Sequence, residues 1–310
     1  MRKIILSLFA MALLISCSSK ANMKNVPDGF IPRTVVIDPG HGGKFSGMDY
    51  SARKITGYKD VKVYKTKMVD GEEVEDPVTE QIVRNGKKEK IIVTKKVPKY
   101  KTIKIFKEQD IALSISQELR KLLEKDPRFK AIMTRETDKE LGSTLAEDLS
   151  ARVKIAEYNN ADLFVSIHVN ASSGSGRDTC KQQGFEIIYR STGKDDKGRL
   201  DTPRGSTEEE KKQDVERQEN AKKEGIALAA KVSSQMRKKG LTQNRDPYSD
   251  YVTGKMNLVL RKSRWPAIIV ETGYICNEKD RKIMTEEPVK IAEGIYNGIV
   301  EYGKQSGWFE

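Results

Sequence analysis

His41 and His168 are the only histidines in the 310 residues, and each stands where an apolar run breaks into small or polar residues. His41 lies in Asp38-Pro39-Gly40-His41-Gly42-Gly43, after Thr34-Val35-Val36-Ile37. His168 lies in Ser166-Ile167-His168-Val169-Asn170, where strand alternation puts Ser166, His168 and Asn170 on one face. Neither context is an apolar helix stripe. Both suit metal ligation, and a catalytic zinc site needs one more protein ligand beside an open position. Two carboxylates stand out. Glu271 directly follows Ile268-Ile269-Val270, and a charge at the end of a core strand is costly without a partner. Glu108 opens an amphipathic segment, where a first-turn acid beside the helix dipole is an equally good reason for its presence. The three cysteines, Cys17, Cys180 and Cys276, form no CxxC pair, which disfavours a thiolate zinc site. A Cys180–Cys276 disulfide can form once the chain is exported, although nothing in the spacing favours it.

The elements that must position these residues follow from periodicity. Short apolar runs at 34–37, 129–133, 161–168, 184–189 and 267–271 read as strands. Ile111, Ile115, Leu119 and Leu122 mark one face of a helix that begins near Glu108 and ends at Asp126-Pro127. Thr144 with Glu147 forms a capping-box pattern for a helix to about Asn159. A helix from Glu208 to about Gly240 is followed by a loop over 241–256. A last helix over 288–301 has Pro288 in its first turn. This alternation predicts an α/β fold with a mixed, mostly parallel sheet flanked by helices. A strand that breaks into a Gly-rich loop carries function at its carboxyl end.

Two segments interrupt the alternation. Residues 44–107 form a Lys-rich β insertion after the first strand, with two to four strands and turns at Asp70-Gly71 and Asn85-Gly86. Because it leaves just after His41 and returns just before Glu108, it is expected to stand beside the site, where it captures an anionic polymer, docks a protein partner or is a solvated excursion without a catalytic role. Residues 191–224 are a second, polar insertion. The catalytic domain is expected over 32–301. Hydrophobic residues make up 37% and charged residues 33%, and 57 basic against 45 acidic side chains give +12. Such a charge favours anionic partners without naming them.

The N-terminus combines Met1-Arg2-Lys3 with an apolar run from Ile4 to Ile15, too short to span a membrane and suited to a secretory signal. Its end, Leu14-Ile15-Ser16-Cys17, resembles a bacterial lipobox, so residues 1–17 read as a lipoprotein signal ending at an acylated Cys17, with 18–31 a polar tether. Ser18 in place of Asp implies an outer-membrane address facing the periplasm in a cell with two membranes. The export signal argues against a nucleic-acid partner.

Five segments, in order, resemble the zinc-dependent N-acetylmuramoyl-L-alanine amidases of bacterial cell walls. They are VVIDPGHGG at 35–43, the helix from Glu108, MTRETD at 133–138, the Leu149/Arg152/Ala156/Asn159 helix with ADLFVSIHVN at 161–170, and PAIIVETGYICN at 266–277. The resemblance implies Zn2+ held by His41, Glu108 and His168, with Glu271 as catalytic glutamate and peptidoglycan as substrate. It leaves room for a protein regulator, since some relatives cover the metal with an extra helix in the region of 191–224. The long insertion ahead of Glu108 departs from the family pattern and makes Glu108 the least secure ligand. Asn170 is a candidate for orienting substrate, and Arg135 or Arg152 for pairing with a carboxylate or for a structural ion pair. A zinc carboxypeptidase-like peptidase is the rival enzyme, but no local motif isolates the arginine clamp it needs. A wall-binding lipoprotein with a vestigial site is the rival without catalysis.

Overall fold

The computed structural model describes residues 29–62, 64–69, 72–84, 87–171, 180–190, 201–249 and 257–310. Cys17 and the tether to residue 28 lie outside them, as do residues of both expected turns, at 70–71 and 85–86.

The centre is a six-stranded sheet in the order β11-β10-β12-β9-β1-β8. It is built from β1 (Arg33–Pro39), β8 (Phe129–Met133), β9 (Leu163–Asn170), β10 (Glu186–Tyr189), β11 (Tyr248–Ser249) and β12 (Ala267–Tyr274). β1 runs parallel to β8 and β9, and β9 parallel to β12, whereas β10 is antiparallel to β12. The expected mixed, mostly parallel sheet is therefore present. The parallel strands are apolar almost throughout because helices cover both faces.

On one face, Val35, Ile37, Val165, Ile167, Ile268 and Val270 pack with α1 (Glu108–Glu124), α3 (Glu208–Lys238) and α6 (Pro288–Gln305). The α1 stripe is Ile111, Ile115, Leu119 and Leu123; Leu122 is only partly buried. On the other face, Val36, Phe164, Ile188 and Ile269 meet residues of α2 (Leu145–Tyr158) and α4 (Leu258–Lys262). The Thr144/Glu147 capping box forms, and Thr207 with Glu210 builds a second one that starts α3. The polar stretch before α3 is tied to the far side of the domain: Asp201 and Asp214 bind Arg264, and Gln218 donates to the Asp201 carbonyl. A short helix α5 (Glu278–Glu286), absent from the periodicity reading, is capped by Asn277. Beyond residue 301, Tyr302 is buried and Trp308 and Phe309 pack against the same core.

The insertion forms six strands rather than two to four. β2 (Asp49–Lys62) and β7 (Thr94–Lys107) pair along their length as an antiparallel ribbon. From its far end branch two hairpins, β3 (Tyr64–Val69) with β4 (Glu72–Pro77) and β5 (Thr79–Arg84) with β6 (Lys87–Ile92). Val69↔Glu72 and Arg84↔Lys87 are the last described pairs of the two hairpins.

Candidate metal and catalytic site

The site grows from the carboxyl ends of β1, β9 and β12. Register sets Glu186, Glu271 and His168 in one row across β10, β12 and β9. Gly40 leaves β1 beside them, its amide bonded to the Ile167 carbonyl at 2.9 Å. A Cβ on Gly40 would stand 2.3 Å from the His168 ring, so only glycine fits there.

His41 and His168 meet edge to face with ring centroids 4.8 Å apart. Glu108 lies between them: its Oε1 is 3.1 Å from His41 Nε2 and 3.1 Å from His168 Nδ1. That oxygen also accepts the Val169 amide at 3.1 Å, and Oε2 accepts the Met48 amide at 2.9 Å. The three side chains can each offer one ligand atom, all within 4.8 Å of one another, which is a geometry able to hold a metal ion. A nitrogen, oxygen, nitrogen donor set suits zinc. Burial works to raise the pKa of Glu108, but hydrogen bonds from His168 and His41 outweigh it and hold the carboxyl far below its usual range.

Glu271 lies within β12 opposite His168 of β9, and its Oε2 is buried with no hydrogen-bond partner among the described residues. Burial is the main reason its pKa rises to about 7; His168 opposes this, while the nearby Glu108 and Glu186 carboxylates add to it. An unpartnered buried carboxylate oxygen next to a ligand cluster is the kind of orphan that a proton-transfer role explains.

The loop carrying His41 is held by two buried arginines. Arg135 donates to the carbonyls of Pro39, Gly40 and Gln109 at 2.9, 2.9 and 2.8 Å. Arg152 donates to Asp38 at 2.7 Å, to the carbonyls of Pro39 and His41 at 2.8 and 2.7 Å, and to Asp148 at 2.8 Å. Asp38 also accepts from Thr134 and Ser166, and its pKa is lowered because these bonds and the Arg152 charge outweigh burial, the largest single influence on it. Asp138 ties Gly43 to Gln109 through both carboxylate oxygens. Thr134, Arg135 and Asp138 of the MTRETD segment thus serve the His41 loop. Both guanidinium groups are taken up by these contacts within the domain.

Asn170 sits one strand period beyond His168, and its Oδ1 accepts the Ala171 amide at 2.9 Å. Sequence reasoning passed over Glu186. Its carboxylate is buried and receives hydrogen bonds from Tyr274 at 2.6 Å, Tyr248 at 2.7 Å, Arg245 at 3.0 and 3.1 Å, and Asn244. The signal was the one that exposed Glu271: an acid set into an apolar strand, here Phe185-Glu186-Ile187-Ile188. Cys180 and Cys276 form a disulfide with a Cα–Cα distance of 5.5 Å, joining the chain after β9 to the chain after β12.

The sequence pattern of the N-acetylmuramoyl-L-alanine amidase family matches residues 35–301. The chain belongs to this family. Among amidase relatives, it is 30% identical to the N-acetylmuramoyl-L-alanine amidase AmiC of Escherichia coli over 248 residues, covering 66% of this chain and 49% of that one. It is 25% identical to the probable amidase AmiB of Haemophilus influenzae over 224 residues, covering 63% and 46%. The chain therefore spans about half the length of these curated relatives. The fold is similar to that of the amidase AmiC2 of Nostoc punctiforme, with a TM-score of 0.53, 25% identity, and coverage of 89% of this chain and 99% of that one. It is also similar to an N-acetylmuramoyl-L-alanine amidase from Clostridium difficile 630, with a TM-score of 0.53, 21% identity, and 89% and 99% coverage.

Proposed function

We propose that this amidase-family chain is a zinc-dependent hydrolase of the cell envelope. It would cleave the amide bond between the lactyl group of N-acetylmuramic acid and the L-alanine of the peptidoglycan stem peptide. The observation that carries this reading is the convergence of His41, Glu108 and His168 on one point, with the unpartnered Glu271 oxygen beside it. Membership of the family supports the substrate class.

His41, Glu108 and His168 would hold the zinc, which when bound supplies Lewis acidity and an acidified water near neutral pH. Glu271 takes the proton of the attacking water at its free oxygen and delivers it to the leaving nitrogen as the carbon–nitrogen bond breaks. A pKa near 7 suits both halves of that transfer. Arg135 and Arg152 keep the His41 loop in place and touch no substrate. Asn170 orients substrate on the same strand face as His168. The activity serves wall turnover or daughter-cell separation, from a lipid anchor at Cys17 in the outer membrane, facing the periplasm.

The deciding experiment digests purified wall polymer and identifies the fragments by mass. Free stem peptides beginning with L-alanine, together with glycan chains that keep the lactyl group, are expected. Cuts within the glycan or within the peptide would refute the reading. His168→Ala is expected to lose both the bound zinc and the products.

A further inference from the structure

The β2–β7 ribbon starts at the ligand cluster. A Cβ on Gly47 would stand 2.6 Å from Glu108 Oε2 and 2.7 Å from the His41 ring. Met48 binds Glu108 on one side of the ribbon, and Lys107 leads directly into Glu108 on the other. Each strand has 14 residues, so the shaft reaches about 45 Å at roughly 3.3 Å per residue.

Charge is distributed unevenly along this arm. Residues 44–107 hold 17 basic and nine acidic side chains, a net +8 of the chain's +12. The shaft strands alone hold ten basic against two acidic residues, so the same +8 resides there and the rest of the insertion cancels. β7 has six lysines and no acid. Lys59, Lys62, Lys95, Lys96, Lys99 and Lys104 are exposed. The register offers little internal neutralisation. Lys107 is paired with Asp49, but Lys59 is paired with Val97, Lys62 with Thr94 and Lys95 with Val61. A ribbon that sets exposed lysines opposite neutral residues is matched to negative charge from outside.

We propose that the β2–β7 shaft is a binding arm for the carboxylates of the stem peptides on the polymer being cut, holding the polymer along a line that ends at the metal cluster. This rests on the amidase reading above, which fixes the polymer at the root of the arm. The attraction is that of exposed charges and acts over about 10 Å at 0.1 M salt. The partner is extended and anionic because the arm is long, narrow and basic.

The test uses the zinc-loaded full chain and two variants that leave Gly47, Met48 and Glu108 in place. One changes Lys59, Lys62, Lys95, Lys99 and Lys104 to Gln. The other replaces residues 58–98 with an Asn-Gly turn, shortening the shaft. Sedimentation measures binding to insoluble peptidoglycan stripped of phosphate polymers, before and after its carboxylates are converted to amides. Turnover of a small soluble muropeptide is followed in parallel. Both variants are expected to bind the native polymer roughly tenfold more weakly at low salt, with the small-substrate rate within about twofold of wild type. Wild type is expected to bind the amidated polymer as weakly as the variants do, and to lose its advantage at high salt. Equal binding by wild type and the five-Gln variant, or equal binding of native and amidated polymer by wild type, would overturn the arm. A wild-type protein that binds the polymer through its carboxylates but leaves the muropeptide intact would overturn the amidase reading and keep the arm.

Discussion

Met48 and Glu108 grip each other twice: the Met48 amide donates to Glu108 Oε2 at 2.9 Å, and the Glu108 amide donates to the Met48 carbonyl at 2.9 Å. The root of the insertion is thus part of the support of the proposed ligand. Glu108 Oε1 is left facing both histidines. Bonds of this kind behind a ligand set its orientation.

Met48→Pro removes the donor to Oε2 while leaving every proposed ligand. A fall of about tenfold in zinc affinity is expected, read by competition with a chelator. The shaft-shortened variant, which keeps Met48, should match wild type in the same titration. Unchanged affinity in Met48→Pro would mean that α1 alone orients Glu108.

Glu271→Ala should keep its zinc and lose at least about a hundredfold in turnover, the usual scale for a missing general base. Rates above a tenth of wild type at pH 7 would remove Glu271 from the chemistry.

Glu271 also makes a stability prediction for the metal-free protein. Its folded pKa is raised to about 7 from the ordinary 4.5. Between those values the folded state binds more protons than the unfolded state, so this group's contribution to stability falls as pH rises from 4.5 to 7. After chelation, the gap in Tm between Glu271→Gln and wild type should widen in favour of the variant from about pH 5 to about pH 8. Parallel curves would show that burial at this position carries no cost.

Arg152→Met leaves Asp38 and Asp148 buried without their cation. A loss of about 3–5 kcal/mol is expected in urea unfolding, the cost of breaking a buried ion pair from one side. A loss below about 1 kcal/mol would show that Thr134 and Ser166 suffice for Asp38.

Cys17→Ser should release the protein from the membrane or block its processing. A membrane-bound, acylated product of that variant would exclude the lipobox.

Much of this arrangement was readable from residues whose cause is local. The strand ends that carry His41, His168 and Glu271 announced themselves because each polar group follows a buried apolar run. Thr144 and Glu147 announced the start of α2 because a capping box lies within four residues. The role of Glu108 was not local. It depends on Met48, 60 residues away, and on Val169, 61 residues away, and an acid that opens a helix looks the same with or without such partners. The same holds for Arg135 and Arg152, which reach backbone carbonyls of the His41 loop about a hundred positions earlier in the chain. The disulfide was a matter of distance rather than spacing: Cys180 and Cys276 are 96 residues apart and meet only because β9 and β12 are neighbours.

His41 adopts φ +62, in the left-handed region that residues other than Gly enter in only a few per cent of cases. His41→Gly would relax the backbone while discarding the imidazole. The chain therefore keeps its histidine against a local conformational cost of about 1–3 kcal/mol. Loss of the proposed ligand at this point would run downhill for folding. A silent homologue with glycine in place of His41 would express as well as the active protein or better, and a screen for solubility alone would drift toward it.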